Sequence, residues 1–513
     1  MRRHLPADRL RRSVSSAAAA VAVLSLAACT SAVDTAGSTA AEGGKLTFAT
    51  ALDAQPQNML MNLARNDPWS RNVFEPLVDL ARDTGEPKPL LATDWTVSPD
   101  GLSVTVNLRG DITFHKGDAL TAADVKFTVD KVMSPDTPTN IRYAKVTKTE
   151  VTSPTQVVLT LAEPAGPALF DFLGSLPIVN DATFTEKGNG TDIDGTGPFA
   201  FTSWNPGASY TLKRNAKYWG AKPHLDEIEF VVTKDATAEL SALRSGRAQA
   251  AWGLNAADVQ SLAADPKWTV VDSGGTIYSL NLNVTKAPFT DKAVRQAVGY
   301  AIDYDRINQQ VFGGIGVKSN VYWAPDDPGM TEQLNRRYTY DPAKAKALVE
   351  QAGAAGAEVP IVYGPNPALA AEYEIIANNL TAIGLKPKAV PADNGQFGAG
   401  LEAGDLGPAF LHLNGQVGLS PATMLDSIPA LRQKNANGFW NDEYVTKRTA
   451  LQQADSDGAR GPALAGLTEH LLDQAFTFPI VQAPIQVVVG QSVQGVTASV
   501  RGPLLFANAA LTQ

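Results

Sequence analysis

The chain has 513 residues, 44% of them apolar and 19% charged, with a formal net charge of −9. That length exceeds what one hydrophobic core serves and indicates two or three domains. Net acidity, with no basic block beyond the N-terminus, excludes a nucleic-acid partner, and a single cysteine, Cys29, excludes an internal disulfide.

The first thirty residues read as an export signal. Arg2, Arg3, Arg9, Arg11 and Arg12 give a positive start, residues 17–26 an apolar run, and Leu26-Ala-Ala-Cys29 ends it. The run is too short for a spanning helix of about 20 residues. Its end resembles the lipobox of bacterial lipoproteins, which implies cleavage before Cys29 and lipidation of that residue. Ordinary cleavage near Ala28 is the plainer alternative, and Arg11-Arg12 leaves Sec and twin-arginine export both open. Residues 1–28 are therefore the expected signal peptide. Residues 29–44, rich in Ser, Thr, Ala and Gly, form the expected flexible tether. Two or more acyl chains at Cys29 would anchor the protein stably. It is then lipid-anchored on the outer face of the bacterial cell membrane, or periplasmic.

Residues 45–50 alternate and open the folded body as a strand, and Phe74-Glu-Pro-Leu-Val-Asp-Leu80 follows a polar loop. Ser98-Pro-Asp-Gly101 is a turn between two strands, with Val104, Val106 and Leu108 on one face. Thr121 is placed to cap a helix, with Asp124 three residues on and Val125, Val129 and Val132 facing inward. Residues 151–161 form another strand. Gly195-Thr-Gly-Pro-Phe-Ala200 superficially matches a dinucleotide fingerprint, but Pro198 and the strand-like residues after it are wrong for a phosphate-binding helix start, so no cofactor is expected. Residues 212–230 read as strand, Gly/Trp-containing turn and strand. Residues 276–284 form a period-2 strand, followed by a loop and a helix with Val294, Ala297, Val298 and Ala301 inward. Asp341 caps the next helix, Pro342 occupies its first position and Gly353 ends it. Residues 361–363, 368–383 and 385–390 make a strand, helix, strand unit.

Five segments in this order resemble the family 5 extracellular solute-binding proteins, the receptor components of peptide and nickel ABC importers. They are Ser98-Pro-Asp-Gly101 with Phe114-His-Lys-Gly117, residues 212–230, residues 276–303, residues 340–353, and Asn437-Gly-Phe-Trp-Asn-Asp-Glu-Tyr444 with Phe478-Pro-Ile-Val-Gln482. The resemblance covers the whole chain after the tether. It implies an α/β, two-lobe periplasmic-binding-protein type II fold with an extra subdomain in the first lobe. Lobe I would span 45–280, with the subdomain near 75–195; lobe II would span 281–484, and 485–513 would return to lobe I. The hinge is expected near Asn281–Asn283. The implied partners are a small-molecule or peptide ligand, ABC permease and ATPase subunits, and the membrane through lipid on Cys29. A monomer is expected.

No Gly-x-Ser-x-Gly, Ser-x-x-Lys, His-Glu-x-x-His or Walker A pattern occurs, and five histidines are scattered without metal-ligand spacing. His115 and His224 sit in turns, where a structural role is expected. A secreted hydrolase built on paired carboxylates is the alternative from another class. Absence of chemistry suits a protein that encloses a ligand between lobes, each contributing contacts that stabilise the closed form. Cleft candidates are Trp252, with a core aromatic as its plainer reading, Tyr278, similarly placed at the start of the hinge strand, and, as a weaker pair, Tyr322 and Trp323. Trp204, Tyr218 and Trp219 are read as scaffold.

Ligand class is addressed by a departure from the family. Peptide-binding members carry a second-lobe aspartate that pairs with the peptide's α-ammonium; alignment on Pro421 puts Val417 there. Asn414, Gly415 and Gln416 beside it offer hydrogen bonds but no charge. A lost charge-assisted bond weakens free-amine binding by roughly 1.5–3 kcal/mol, with Asp405 and Asp426 as possible substitutes. The expected function is capture of peptides or peptide-like solutes for an ABC importer. An oligosaccharide, metal chelate or other small metabolite is the alternative ligand.

Overall fold

Two long strands organise the molecule: Trp268–Leu282 and Thr477–Gly490, which pair antiparallel over most of their length. They belong to an eleven-stranded sheet in the order Lys386–Pro391, Glu358–Tyr363, Ala409–Asn414, Trp268–Leu282, Thr477–Gly490, Ala250–Trp252, Lys45–Thr50, Glu227–Val232, Ser209–Arg214 and Phe199–Asn205, with Val317–Lys318 beside Thr477–Gly490. The computed structural model describes residues 40–82, 85–184, 193–415, 417–454 and 456–512. Cys29, the signal peptide and Gln416 lie outside them. Among the described residues no helix is long and apolar enough to cross a membrane.

The long strands pass from one core to another. Val487 and Val489 pack with Leu46, Phe48, Phe230, Trp252 and Phe506 in the first core. Ile277, Leu280, Ile480 and Val481 pack with Val294, Ile361 and Leu411 in the second. Between them the pairing breaks: Asp272 faces Gln486, and pairing resumes with Gly275 opposite Pro484. Gly274 takes φ +62° in this break, and a Cβ there would come within 2.8 Å of the Gly502 Cα, so both the conformation and the close approach require glycine. Ser273 donates its hydroxyl to the Gly502 carbonyl, tying the break to the C-terminal segment. Asn281 and Asn283, where the resemblance expects the hinge, are buried, and Asn281 accepts from Thr477 at 2.8 Å; the pairing break lies several residues earlier on the same strand. Periodicity alone cannot locate such a break, because the apolar alternation continues on both sides of it.

The first lobe carries a separate antiparallel sheet in the order Ala92–Val97, Ser103–Leu108, Gln156–Leu161 and Val146–Ser153. Helix Ala122–Met133 covers it with Val125, Val129 and Val132, and Asp124 completes a capping box by accepting from the Thr121 N–H at 2.8 Å. In the second lobe Glu358–Tyr363 and Lys386–Pro391 pair in parallel, joined by helix Pro367–Ala382, whose Asn366 cap accepts from the Ala368 N–H at 2.8 Å. Ala40–Ala41 pairs with Ala510–Thr512, so ordered pairing begins inside the stretch read as tether. Its composition hides this because backbone groups, not side chains, make the bonds.

The segment 212–230 joins the scaffold through a buried carboxylate. Ser209–Arg214 and Glu227–Val232 pair with Leu212 opposite Ile228. In the turn between them, Tyr218 donates to Glu75 at 2.7 Å and Trp219 Nε1 at 2.8 Å; Thr196 adds a third donor at 2.9 Å. Burial pushes the Glu75 carboxyl upward, against those donors and the Arg71 charge. The Gly-x-Gly pattern at 195–197 also acquires its reason: Cβ atoms there would fall 2.0 Å from the Val73 carbonyl oxygen and 2.4 Å from that of Asn72. His115 clamps the same loop, with Nε2 2.9 Å from the Gly197 oxygen and Nδ1 3.3 Å from the Gly195 N–H. Close backbone packing demands these glycines.

Glu372 gives the fold a pH dependence. It is fully buried, and among the described residues neither carboxyl oxygen has a hydrogen-bond partner. Desolvation pushes its pKa up to about 8 from 4.5. With the folded value above the unfolded one, its contribution is intact below about pH 4.5 and is lost as pH rises through about 8. Melting temperature should therefore decline over this range. Glu372→Gln should reduce the decline and raise the melting temperature at about pH 8.5; Glu239, also raised to about 8, sustains the remainder. An identical pH profile for wild type and variant in thermal denaturation would count against this role.

Candidate functional site in the inter-lobe region

The second lobe meets the first through the loop that follows strand Ala409–Asn414. Gly418 takes φ +85°, and the position of a Cβ on it lies 2.3 Å from the Val500 carbonyl oxygen, so the loop approaches the C-terminal segment closely. Val417 packs beside Gly275 at the break in the long strands, its Cγ2 3.3 Å from the position a Cβ on Gly275 would take. Ser420 then caps helix Pro421–Ser427, whose Met424 and Leu425 belong to the second core.

Against this helix start stands Asp171, from helix Pro167–Leu173 of the first lobe. Asp171 is 2% exposed and Leu169, Phe172 and Leu173 around it belong to the first core. Its Oδ2 accepts from the Ser420 N–H at 3.0 Å, from the Ser420 hydroxyl and from the Thr423 hydroxyl. Its Oδ1 pairs with Arg501 Nη2, while Arg501 Nη1 donates to the Asp171 carbonyl at 2.9 Å and to Ser175 Oγ at 2.6 Å. One carboxylate is thus held by a guanidinium and by a helix N-terminus with its hydroxyls, a setting that satisfies a buried anion. The bonds to Ser420 and Thr423 join the lobes.

Beside this clasp lies a cavity of about 70 Å³, between the loop at 59–71, residues 174–177 and the C-terminal segment at 499–503. Met59, Phe74 and Leu176 supply apolar wall. Arg71 pairs with Asp79 at 3.1 Å, and Arg501 is committed to Asp171. Asp67, 7% exposed, lines the same space, and burial pushes its carboxyl well above the usual range.

The residues singled out from the sequence are distributed as follows. Tyr278 is half-buried, 4.6 Å from the Phe312 ring, and burial raises its hydroxyl to about 12. It sits one position along from Ile277, which faces the buried Asn414. Gly415 is exposed, with open space where a side chain would begin, and Val417 is half-buried. Gln416 lies outside the described residues. Tyr278, Asn414 and Val417 therefore share one neighbourhood at the long strands. Gln482 Nε2 ties the carbonyls of Tyr322 and Trp323 to these strands at 3.2 and 3.3 Å. Both rings are nevertheless buried in the second core, Tyr322 donating or accepting at Thr477 Oγ1 and Trp323 facing Met330. Trp252 is 2% exposed in the first core, on a strand pairing with Thr50 and Val487. In this conformation those three rings serve packing. Asp405 pairs with Lys286, and Asp426 with Arg448 and Gln452, so both are already partnered.

Sequence reasoning missed Asp171, Arg501 and Asp67. An acid inside the apolar run Ala168-Leu-Phe-Asp-Phe-Leu173 was a usable signal, since a charge there must find a partner when buried. Arg501 and Asp67 lie in irregular segments that offer no periodicity.

Similarity to known proteins accords with this architecture. A di/tripeptide-binding protein of Pseudomonas aeruginosa is 26% identical over 461 residues, covering 82% of this chain and 85% of that one. The ABC transporter-associated periplasmic binding protein DppA from Helicobacter pylori, solved in complex with the peptide STSA, is 26% identical with a TM-score of 0.76, over 92% of this chain and 99% of that one. NikA from Brucella suis, solved in complex with Fe(III)-EDTA, shares the fold with a TM-score of 0.80 at 22% identity, over 91% of this chain and 100% of that one. Residues 86–434 match the model described as bacterial extracellular solute-binding proteins, family 5 middle, and the chain belongs to that family of binding proteins.

Proposed function

We propose that the protein is a lipoprotein receptor of an ABC importer that captures extracellular peptides or peptide-like solutes and delivers them to permease and ATPase subunits. The observation that carries the reading is the meeting of the lobes: Ser420 and Thr423 bond Asp171, and Gly418 approaches Arg501, beside the break in the long strands. A hinge at that break opens the space between the lobes, and a ligand touching both favours the closed form. Names of similar proteins, one binding di- and tripeptides and one crystallised with a peptide, support the ligand class. Saturating ligand at about 100 times its Kd stabilises by about 2.7 kcal/mol, which a thermal-shift screen resolves. Di- to hexapeptides should raise the melting temperature; a rise with sugars or chelates but with no peptide contradicts the reading.

Membrane attachment is assigned to lipid on Cys29. Cys29→Ala should release the protein from the membrane fraction, as judged by immunoblotting, and continued retention of the variant would contradict the assignment.

A non-peptide ligand is the second reading. Val417 stands where the resemblance expects a carboxylate, and Asp405 and Asp426 are engaged elsewhere. The same screen decides between the two readings.

A further inference from the structure

The cavity beside the clasp holds a carboxyl group that no other side chain answers among the described residues. Its charged lining residues are Asp67, Arg71, Asp79 and Arg501. Arg71 is paired with Asp79, and Arg501 with Asp171. That leaves Asp67, for which no ion pair or side-chain hydrogen bond occurs among the described residues. The residue is 7% exposed, and its backbone is fixed at both ends: its N–H donates to the Ala64 carbonyl at 3.2 Å and its carbonyl accepts from the Leu504 N–H at 2.9 Å. An isolated buried carboxylate is strongly disfavoured unless it is protonated or finds a cation.

The surroundings define what could answer it. Met59, Met61, Leu63, Phe74 and Leu176 make the walls mostly apolar. A volume of about 70 Å³ exceeds the 10–15 Å³ needed for one water. The space suits a small charged head with a short apolar stem, one end of a larger molecule. Gly502 borders it without a side chain; its Cβ position would lie 3.5 Å from Asp67 Oδ2.

We propose that this cavity is a subsite for a primary ammonium group of the ligand, with Asp67 as its counter-charge. The inference rests on the reading of the protein as a receptor for peptide-like solutes. It supplies the charge that the second-lobe loop lacks at Val417, and it places that charge in the first lobe. The nearby clasp shares Arg501 with the cavity wall, so a ligand anchored at Asp67 lies beside the contact that joins the lobes.

Titration calorimetry with trialanine and N-acetyl-trialanine tests the proposal on the full chain. Wild-type protein should bind trialanine at least about tenfold more tightly, the size expected for one charge-assisted hydrogen bond. Asp67→Asn should lower trialanine affinity by about tenfold or more and leave N-acetyl-trialanine within about twofold, erasing the discrimination. Asp67→Ser serves the same purpose if the amide variant does not fold. Wild-type preference below about twofold overturns the subsite without recourse to any variant. Trialanine binding that Asp67→Asn leaves unchanged also overturns the subsite while sparing the receptor reading. Failure of wild-type protein to bind either probe, alongside thermal stabilisation by sugars or chelates alone, overturns the peptide reading and the subsite with it.

Discussion

Removing the hydroxyls that hold Asp171 across the lobes, with Ser420→Ala and Thr423→Val together, should shift the ligand-free protein toward an open form. Each hydrogen bond to a charged group contributes about 1.5–3 kcal/mol, and a hinge poised within a few kcal/mol responds strongly to that loss. The radius of gyration from small-angle scattering should increase in the double variant, while stability of the first lobe should change little, because Arg501 still pairs with Asp171. Asp171→Ala should do more. It strands Arg501 inside the protein as well as opening the lobes, and breaking a buried ion pair from one side typically destabilises by about 3–5 kcal/mol. A double variant whose scattering matches wild type would show that the clasp does not govern closure.

The second large effect is expected at Glu75. Glu75→Ala leaves the Tyr218 hydroxyl, the Trp219 indole N–H and the Thr196 hydroxyl facing the vacated position. Unsatisfied buried donors cost about 1–3 kcal/mol each; Thr196 is buried while Tyr218 and Trp219 are half-buried and regain some hydration, so the sum is smaller than three full penalties. A loss of about 3–5 kcal/mol in chemical denaturation is the expected result. Glu75→Gln, which retains one acceptor oxygen, should lose roughly half as much. A loss below about 1 kcal/mol for the alanine variant would show that the turn at 218–219 is held by other contacts, such as Arg109 stacked 4.7 Å from the Trp219 ring.

Much of this architecture was legible from local chemistry. The Asp341-Pro342 helix start, the strand, helix, strand unit ending near residue 390, and the apolar face of helix Ala122–Met133 are direct consequences of capping and period. Residues 212–230 were readable as a hairpin for the same reason. What they support was not readable, because Glu75 lies far along the chain and its burial is decided by tertiary packing. The candidate site was less legible still. Asp171, Arg501 and Ser420 come from three distant segments, and only folding makes them a cluster. The aromatic residues Trp252, Tyr322 and Trp323 attract notice in a sequence, yet large rings are most often placed by the core, where all three lie. Departures informed more than matches: Val417 pointed to a missing charge, and Asp67, with no side-chain partner among the described residues, lines the cavity beside the clasp.

Native mass spectrometry of freshly purified protein tests the central claim most directly, because a closed cleft retains tightly held cargo. The account predicts a one-to-one adduct that releases a free-amine peptide on denaturation. An adduct that releases a sugar or a chelate, from protein that no peptide stabilises, would contradict it.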